Sequence, residues 1–287
     1  MTVNIANPNA TPLGFIDDVL TGRITLPMVP RVVEQVLQSL RREDFSTHDV
    51  AEQIAQDPVL SSRVLRLANS GYYARGRQLS SIAEAISVIG VNALQTLVAV
   101  SGSMAAFVDT PGVNLRHFWL RAVITGNAAR QLAARSGNNA DAAYSGGLLQ
   151  AIGHLILCQC HPDKARQGFS PFVNEWGLKL AAREVSVFGI AHPEISALWV
   201  DKLGMPQLVA DAVLTSLYPV ETSAPALARI LRLACTVADA VAEGRSLDTA
   251  LGELEPGLVA QLGLQDYVSS DEFSTDFAEL QTLPGPL

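Results

Sequence analysis

Four side chains of the kinds that bind metals or attack as nucleophiles stand close together at His154, Cys158, Cys160 and His161. A separation of four puts His154 and Cys158 on one face of a helix, where an imidazole and a thiolate can share a zinc ion. The helical period turns Cys160 away from that face. The opposing reading is preferred: the two cysteines are small buried apolar residues and His161 marks a helix end, because free cysteine favours the interior. Other catalytic templates are missing. There is no Gly-x-Ser-x-Gly elbow, no Gly-rich loop ending in Lys-Ser/Thr and no dinucleotide fingerprint after a strand. Carboxylates such as Glu43 and Asp44 fall in a polar loop, where solvation accounts for them. No residue earns a catalytic role on these grounds, and neither a metal nor any other cofactor is expected.

Two surface features point to binding instead. Tyr72, Tyr73, Arg75 and Arg77 combine the side-chain types in which interface energy concentrates, and they form the candidate partner surface. The alternative is that the tyrosines pack beneath the loop following the helix that carries Leu60 to Ala68. Arg63, Arg66, Arg75 and Arg77 also make a local basic cluster, best read as a solvated helix face. The chain as a whole has 20 Lys and Arg against 28 Asp and Glu, a formal charge of −8. Such a field repels phosphate backbones, so nucleic acid is not expected as a partner.

The elements that must position these groups read as helices throughout. Val29, Val32, Val33, Val36, Leu37 and Leu40 recur at three- and four-residue spacing and share one face. Ser46 and Asp49 form a Ser-x-x-Asp start, and Asp57-Pro58 ends that helix and caps the next. Ser81 and Glu84 make another capping box, with Gly90 just past the helix end. Ala85 to Val108 contains no charge and is long enough to span a bilayer. Gly90 followed by an Asn92-x-x-Gln95 start predicts two buried helices there instead. Phe118 to Arg135 and Asp141 to Cys160 read as two long helices around the turn at Ser136–Asn139, followed by helices from Leu178, His192, Gln207 and Pro225. The tail from Asp271 is acidic and ends in Pro284-Gly285-Pro286, so it is expected to be loosely attached. No run alternates as a strand would.

With 287 residues, 48% of them apolar, the chain can bury a substantial core in two packed helical subdomains. The expected division is an N-terminal extension over 1–22, a helical subdomain over 23–110, a second over 111–245, and a C-terminal segment over 246–287. Cys158, Cys160 and Cys235 are too few for a disulfide framework, and the N-terminus lacks the pattern of a secretory signal, so a cytoplasmic setting is expected.

Three segments in order, LPMVPRVVEQVLQSL, DVAEQIAQDPVLSSRVLRLANSGYY and SSIAEAISVIGVNALQTLV, resemble the N-terminal half of an HDOD domain. HFWLRAVITGNAARQLA, GGLLQAIGHLIL and FGIAHPEISALWVDKLGMP are similar to its second half, so the resemblance runs from about Leu26 to Gly244. It implies an all-α, HD-domain-like bundle related to metal-dependent phosphohydrolases. It also implies the places where their ligands would stand. The His-Asp pair before Ile-Gly is Gln150 and Ala151 here, and the first His position matches Arg121. The later His-rich motif is Thr215, Ser216 and Leu217, and the terminal Asp position falls on Cys235 or, by a shifted register, Asp239. Only His192 matches a ligand. Ligands act as sets, and a guanidinium repels a cation, so hydrolysis is not expected.

What the resemblance implies is a non-catalytic signal-transduction output or scaffold module, acting in a response-regulator type of pathway through a sensor kinase, regulator or cyclase. The degenerate pocket of Arg121, Gln150, Ala151, His154, His192, Ser216 and Asp239 is the candidate site for a small anionic ligand. A satisfied internal polar network is the competing reading. A surviving metal-dependent phosphohydrolase acting on nucleotides or cyclic dinucleotides is the alternative function.

Overall fold

The computed structural model describes residues 13–42, 44–69, 78–172, 175–217, 225–254 and 257–280, and among these there are helices and connecting loops but no strand. The chain runs through α1 (Leu13–Leu20), α2 (Arg31–Leu40), α3 (Thr47–Ala55), α4 (Pro58–Ala68), α5 (Ile82–Ile89) and α6 (Val91–Ala106). It continues through α7 (Leu115–Arg135), α8 (Ala140–Leu149), α9 (Ile152–Cys160), α10 (Pro162–Gly168), α11 (Gly177–Phe188), α12 (His192–Lys202), α13 (Gln207–Thr215) and α14 (Ala226–Glu243). The short α15 (Leu247–Gly252), α16 (Leu258–Gln261) and α17 (Gln265–Val268) lead to α18 (Asp271–Leu280).

The helix starts follow the capping chemistry in the sequence. Ser46 Oγ accepts from the Asp49 amide, Asp57 Oδ1 from the amides of Val59 and Leu60, and Ser81 Oγ from the Glu84 amide. Each bond satisfies an amide that has no partner within its own helix. Gly90, at φ 81°, ends α5 and begins α6 at once. That corrects the expectation of a cap at Asn92, which lies inside the first turn of α6. Gln95 is likewise drawn into tertiary contact, its Nε2 donating to the Gly204 carbonyl at 3.0 Å.

The expected single helix from Asp141 to Cys160 is broken into α8 and α9 at Gln150-Ala151. Close packing onto α12 sets the break. A Cβ on Gly153 would stand 2.3 Å from the His192 carbonyl oxygen, and the Gly153 amide, at the start of its helix, donates to Ser196 Oγ at 2.8 Å. The loose attachment expected from Asp271 is also corrected for residues 271–280. These form α18, whose Phe273 and Phe277 are 1% exposed, held by packing onto α7 and α14 and by a Glu272–Arg135 ion pair.

One contiguous apolar core takes residues from both halves of the chain. Helix α6 is the seam. It packs on α2 and α4 on one side and on α8 on the other. Thr96 Oγ1 lies 2.6 Å from Ser145 Oγ, and Trp199 Nε1 donates to Ser103 Oγ at 3.0 Å. Among the described residues no helix is long and apolar enough to cross a membrane.

Candidate functional site

Helices α9, α11 and α12 bring together two imidazoles and one carboxylate. Glu184 Oε1 lies 2.8 Å from His154 Nδ1, and Glu184 Oε2 lies 2.7 Å from His192 Nδ1. The His192 backbone amide, at the start of α12, donates to the same Oε2 at 2.8 Å. A negative group therefore sits at the positive end of a helix. Glu184 is 0% exposed, His192 1% and His154 5%. A carboxylate this deep is tolerated only when donors saturate it, and three N–H groups converge on this one. An ionised carboxylate only accepts, so each ring presents a protonated Nδ1 to it.

The charges follow from this geometry. Burial works against ionising Glu184, but the His192 and His154 side chains outweigh it and hold the carboxyl at about 2. Burial likewise works against a charged His154, yet the adjoining Cys158 sulfur and Glu184 raise it to about 9. Cys158 Sγ stands 3.7 Å from His154 Nε2. The sequence reading missed Glu184. Its signal was a carboxylate on the apolar period of α11, in register with buried Leu180 and Ala181.

A second polar pair lies between α7 and α14. Arg121 Nε donates to Asp239 Oδ1 at 2.7 Å, with a second guanidinium nitrogen 2.5 Å from the same oxygen. The guanidinium carbon lies 4.6 Å from the centre of the Trp176 ring. Burial opposes the charge on Arg121, but Asp239 and Cys235 raise its pKa and keep it a cation. Cys235, one turn before Asp239, has its thiol pushed up to about 11 by burial. Both registers suggested for the terminal acid position thus fall beside Arg121.

The seven sequence-predicted pocket residues therefore separate. His154 and His192 meet through Glu184, and Arg121 meets Asp239. Gln150 and Ala151 are buried at the α8–α9 break, and Ser216 is buried with its Oγ donating to the Val213 carbonyl of its own turn. The four-residue zinc-like group does not converge. Cys158 packs against His154, Cys160 is half-buried, and the His161 ring lies 5.9 Å from Phe188 and 5.7 Å from Phe15. The candidate partner residues Tyr72, Tyr73, Arg75 and Arg77 lie outside the described residues.

The metal that the resemblance to HD phosphohydrolases implies does not fit this donor set. A guanidinium is paired to Asp239, and Ala151 offers no ligand atom. Among the described residues no group of three or more His, Cys, Asp or Glu is arranged to hold an ion. Two cavities of about 380 Å³ flank the site instead. One is lined by Asn114, His154, Arg166, Phe169, Trp176 and Arg183, among others. The other is mostly apolar and lies along Leu120, Arg121, Ile124 and Val241, with Trp176 as the shared wall.

A family model described as HDOD domain matches residues 26–218. An uncharacterized protein of Treponema pallidum (strain Nichols) is 23% identical over 190 residues, which cover 66% of this chain. The match spans 37% of the length of that relative. A solved structure from Marinobacter aquaeolei VT8, classed provisionally as a signal transduction protein, is 23% identical with a TM-score of 0.66, over 98% of this chain and 67% of that one. An HDOD domain protein of unknown function from Geobacter sulfurreducens is 20% identical, with a TM-score of 0.61, over 91% and 94% of the two chains. A protein of Shewanella amazonensis SB2B, classed provisionally as a phosphohydrolase, is 22% identical with a TM-score of 0.62, over 93% and 97%. At these identities the likeness is one of fold.

Proposed function

This chain belongs to the HDOD family, and from that premise we propose that it is a non-catalytic signal-transduction output or scaffold module acting in a cytoplasmic pathway. The observation that carries this reading is the Arg121–Asp239 pair. The resemblance puts Arg121 at the first imidazole position of HD phosphohydrolases, and its buried guanidinium engages Asp239, which one register assigns as the last acidic ligand. Activating water by a metal requires several neutral imidazoles and carboxylates converging on one ion with a coordination position left open. Here Asp239 is paired with the Arg121 guanidinium.

In this reading the helical region 23–110 presents the partner surface, with Tyr72, Tyr73, Arg75 and Arg77 as its anchors. The region 111–245 provides the ligand-responsive half. The partner is a protein of a signalling pathway, such as a kinase, a regulator or a cyclase. The test has two arms. Purified protein should carry no stoichiometric Mn, Fe or Zn and release no phosphate from nucleotides or cyclic dinucleotides, and His192→Ala should leave that background unchanged. A pull-down from the native host should retrieve a kinase, transcription activator or cyclase, and Arg75→Ala with Arg77→Ala should lose it. Turnover that depends on bound metal and falls in His192→Ala would replace this reading with that of a surviving phosphohydrolase.

A further inference from the structure

Of the seven sequence-predicted pocket residues, His154 alone lines the cavity between the start of α7, the end of α10 and α11. Arg121, Gln150, Ala151, His192 and Asp239 are all absent from its walls. Its charged lining is uneven. Arg166, Arg183 and His154 face it, against one carboxylate, Glu175. The other carboxylates that balance these cations stand outside it: Asp163 pairs with Arg166 from the surface, and Glu184 lies behind His154. Arg183 is paired with Glu175 within the lining, while the Arg166–Asp163 and His154–Glu184 pairs turn their positive ends toward the cavity. The 21-residue helix α7 begins at its rim, after Val113 and Asn114, and adds the positive end of its macrodipole.

His154 is 5% exposed, so the cation at the floor is shielded from bulk solvent and its charge interactions are correspondingly stronger. Its Nδ1 is committed to Glu184. Nε2 faces the Cys158 sulfur at 3.7 Å and can give its proton to a stronger acceptor than sulfur. Arg166 and Asp163 form an exposed pair at 3.2 Å, of the kind that contributes little, so the Arg166 guanidinium is free to exchange partners. Phe169, Trp176 and Leu180 supply an apolar wall beside the cations. The volume of about 380 Å³ lies within the range of small-molecule sites.

We propose that this cavity binds a small organic phosphate, with the phosphate held by Arg166 and His154 and a planar apolar group lying along Phe169 and Trp176. The proposal rests on the reading of the chain as a binding module and supplies the ligand class to which that module responds. Phenyl phosphate is a direct probe, titrated calorimetrically into the full chain alongside phenol and inorganic phosphate. Saturable one-to-one binding of phenyl phosphate is expected, with phenol and inorganic phosphate each at least about tenfold weaker. A tenfold loss is also expected in Arg166→Gln, as for a charge-assisted hydrogen bond. The Arg166 side chain is 64% exposed, so this variant should fold as the parent does, which circular dichroism checks. His154→Gln should show a similar loss.

Absence of saturable binding would overturn the proposal. So would phenol or inorganic phosphate binding as well as phenyl phosphate, or unchanged affinity in Arg166→Gln. Phosphate release measured in the same samples separates this proposal from the functional reading. Hydrolysis of the bound ester would overturn the non-catalytic assignment, whereas failure to bind would remove this proposal alone.

Discussion

Glu184 is the residue on which the interior polar chemistry turns. Its three donors come from two imidazoles and the first amide of α12, and no solvent reaches it. Removing it by Glu184→Ala strands a buried His154 cation, and losing one member of a buried pair costs about 3–5 kcal/mol. Chemical denaturation should show that loss. The same group fixes the pH profile of stability. Glu184 falls from its ordinary 4.5 to about 2 on folding, so its contribution is complete above 4.5 and is lost as pH drops toward 2. His154 rises from 6.5 to about 9, so its contribution is complete below 6.5 and is lost as pH climbs toward 9. Melting temperature should therefore be flat between about 4.5 and 6.5 with respect to this cluster, decline on both flanks, and lose much of that curvature in Glu184→Gln. A melting profile identical in the variant would rule out the cluster as its source.

At the level of elements, the start of α9 carries the closest helix approach near the site. The Gly153 position is set against the first turn of α12, with a Cβ 2.3 Å from the His192 carbonyl oxygen and 2.8 Å from the Ser196 amide. Both of those atoms are backbone and have no rotamer to yield. Gly153→Ala should push α9 from α12 and destabilise by about 1–3 kcal/mol, the usual scale of overpacking. It should also disturb His154, whose ring resonances report the displacement directly. Gly137→Ala is the contrast: nothing lies within 4 Å of its Cβ, and any cost there comes from its positive φ alone. Helix existence was legible in the sequence because apolar spacing and caps are local. The break at Gln150-Ala151 was not, because neither residue is a helix breaker and the cause lies across the core in α12.

At the scale of the whole molecule, α6 joins the two halves into one core, and α18 closes against α7 and α14. The acidic composition after Asp271 suggested a tail without anchorage, but Phe273 and Phe277 stand four apart and both enter the core. Phe277→Ala should cost about 3–5 kcal/mol, the range for truncating a fully buried aromatic. A loosely attached segment would show almost no change in the midpoint of denaturation. Asp271 and Glu272 lie on the exposed side of this helix, opposite the buried phenylalanines, an amphipathic arrangement that composition alone conceals.

Local patterns in the sequence determined the all-helical class and most helix starts, since caps and apolar periods are properties of short windows. The HDOD motifs added the order of the helices. Tertiary structure alone decided which polar residues meet. Arg121 and Asp239 are 118 positions apart, and Glu184 lies 30 from His154, so no local pattern could pair them. Burying charge is costly without a partner, and helix packing supplied Arg121 with Asp239 and Glu184 with its two imidazoles. That pairing converted a set of scattered ionisable residues into two neutralised clusters beside a cavity.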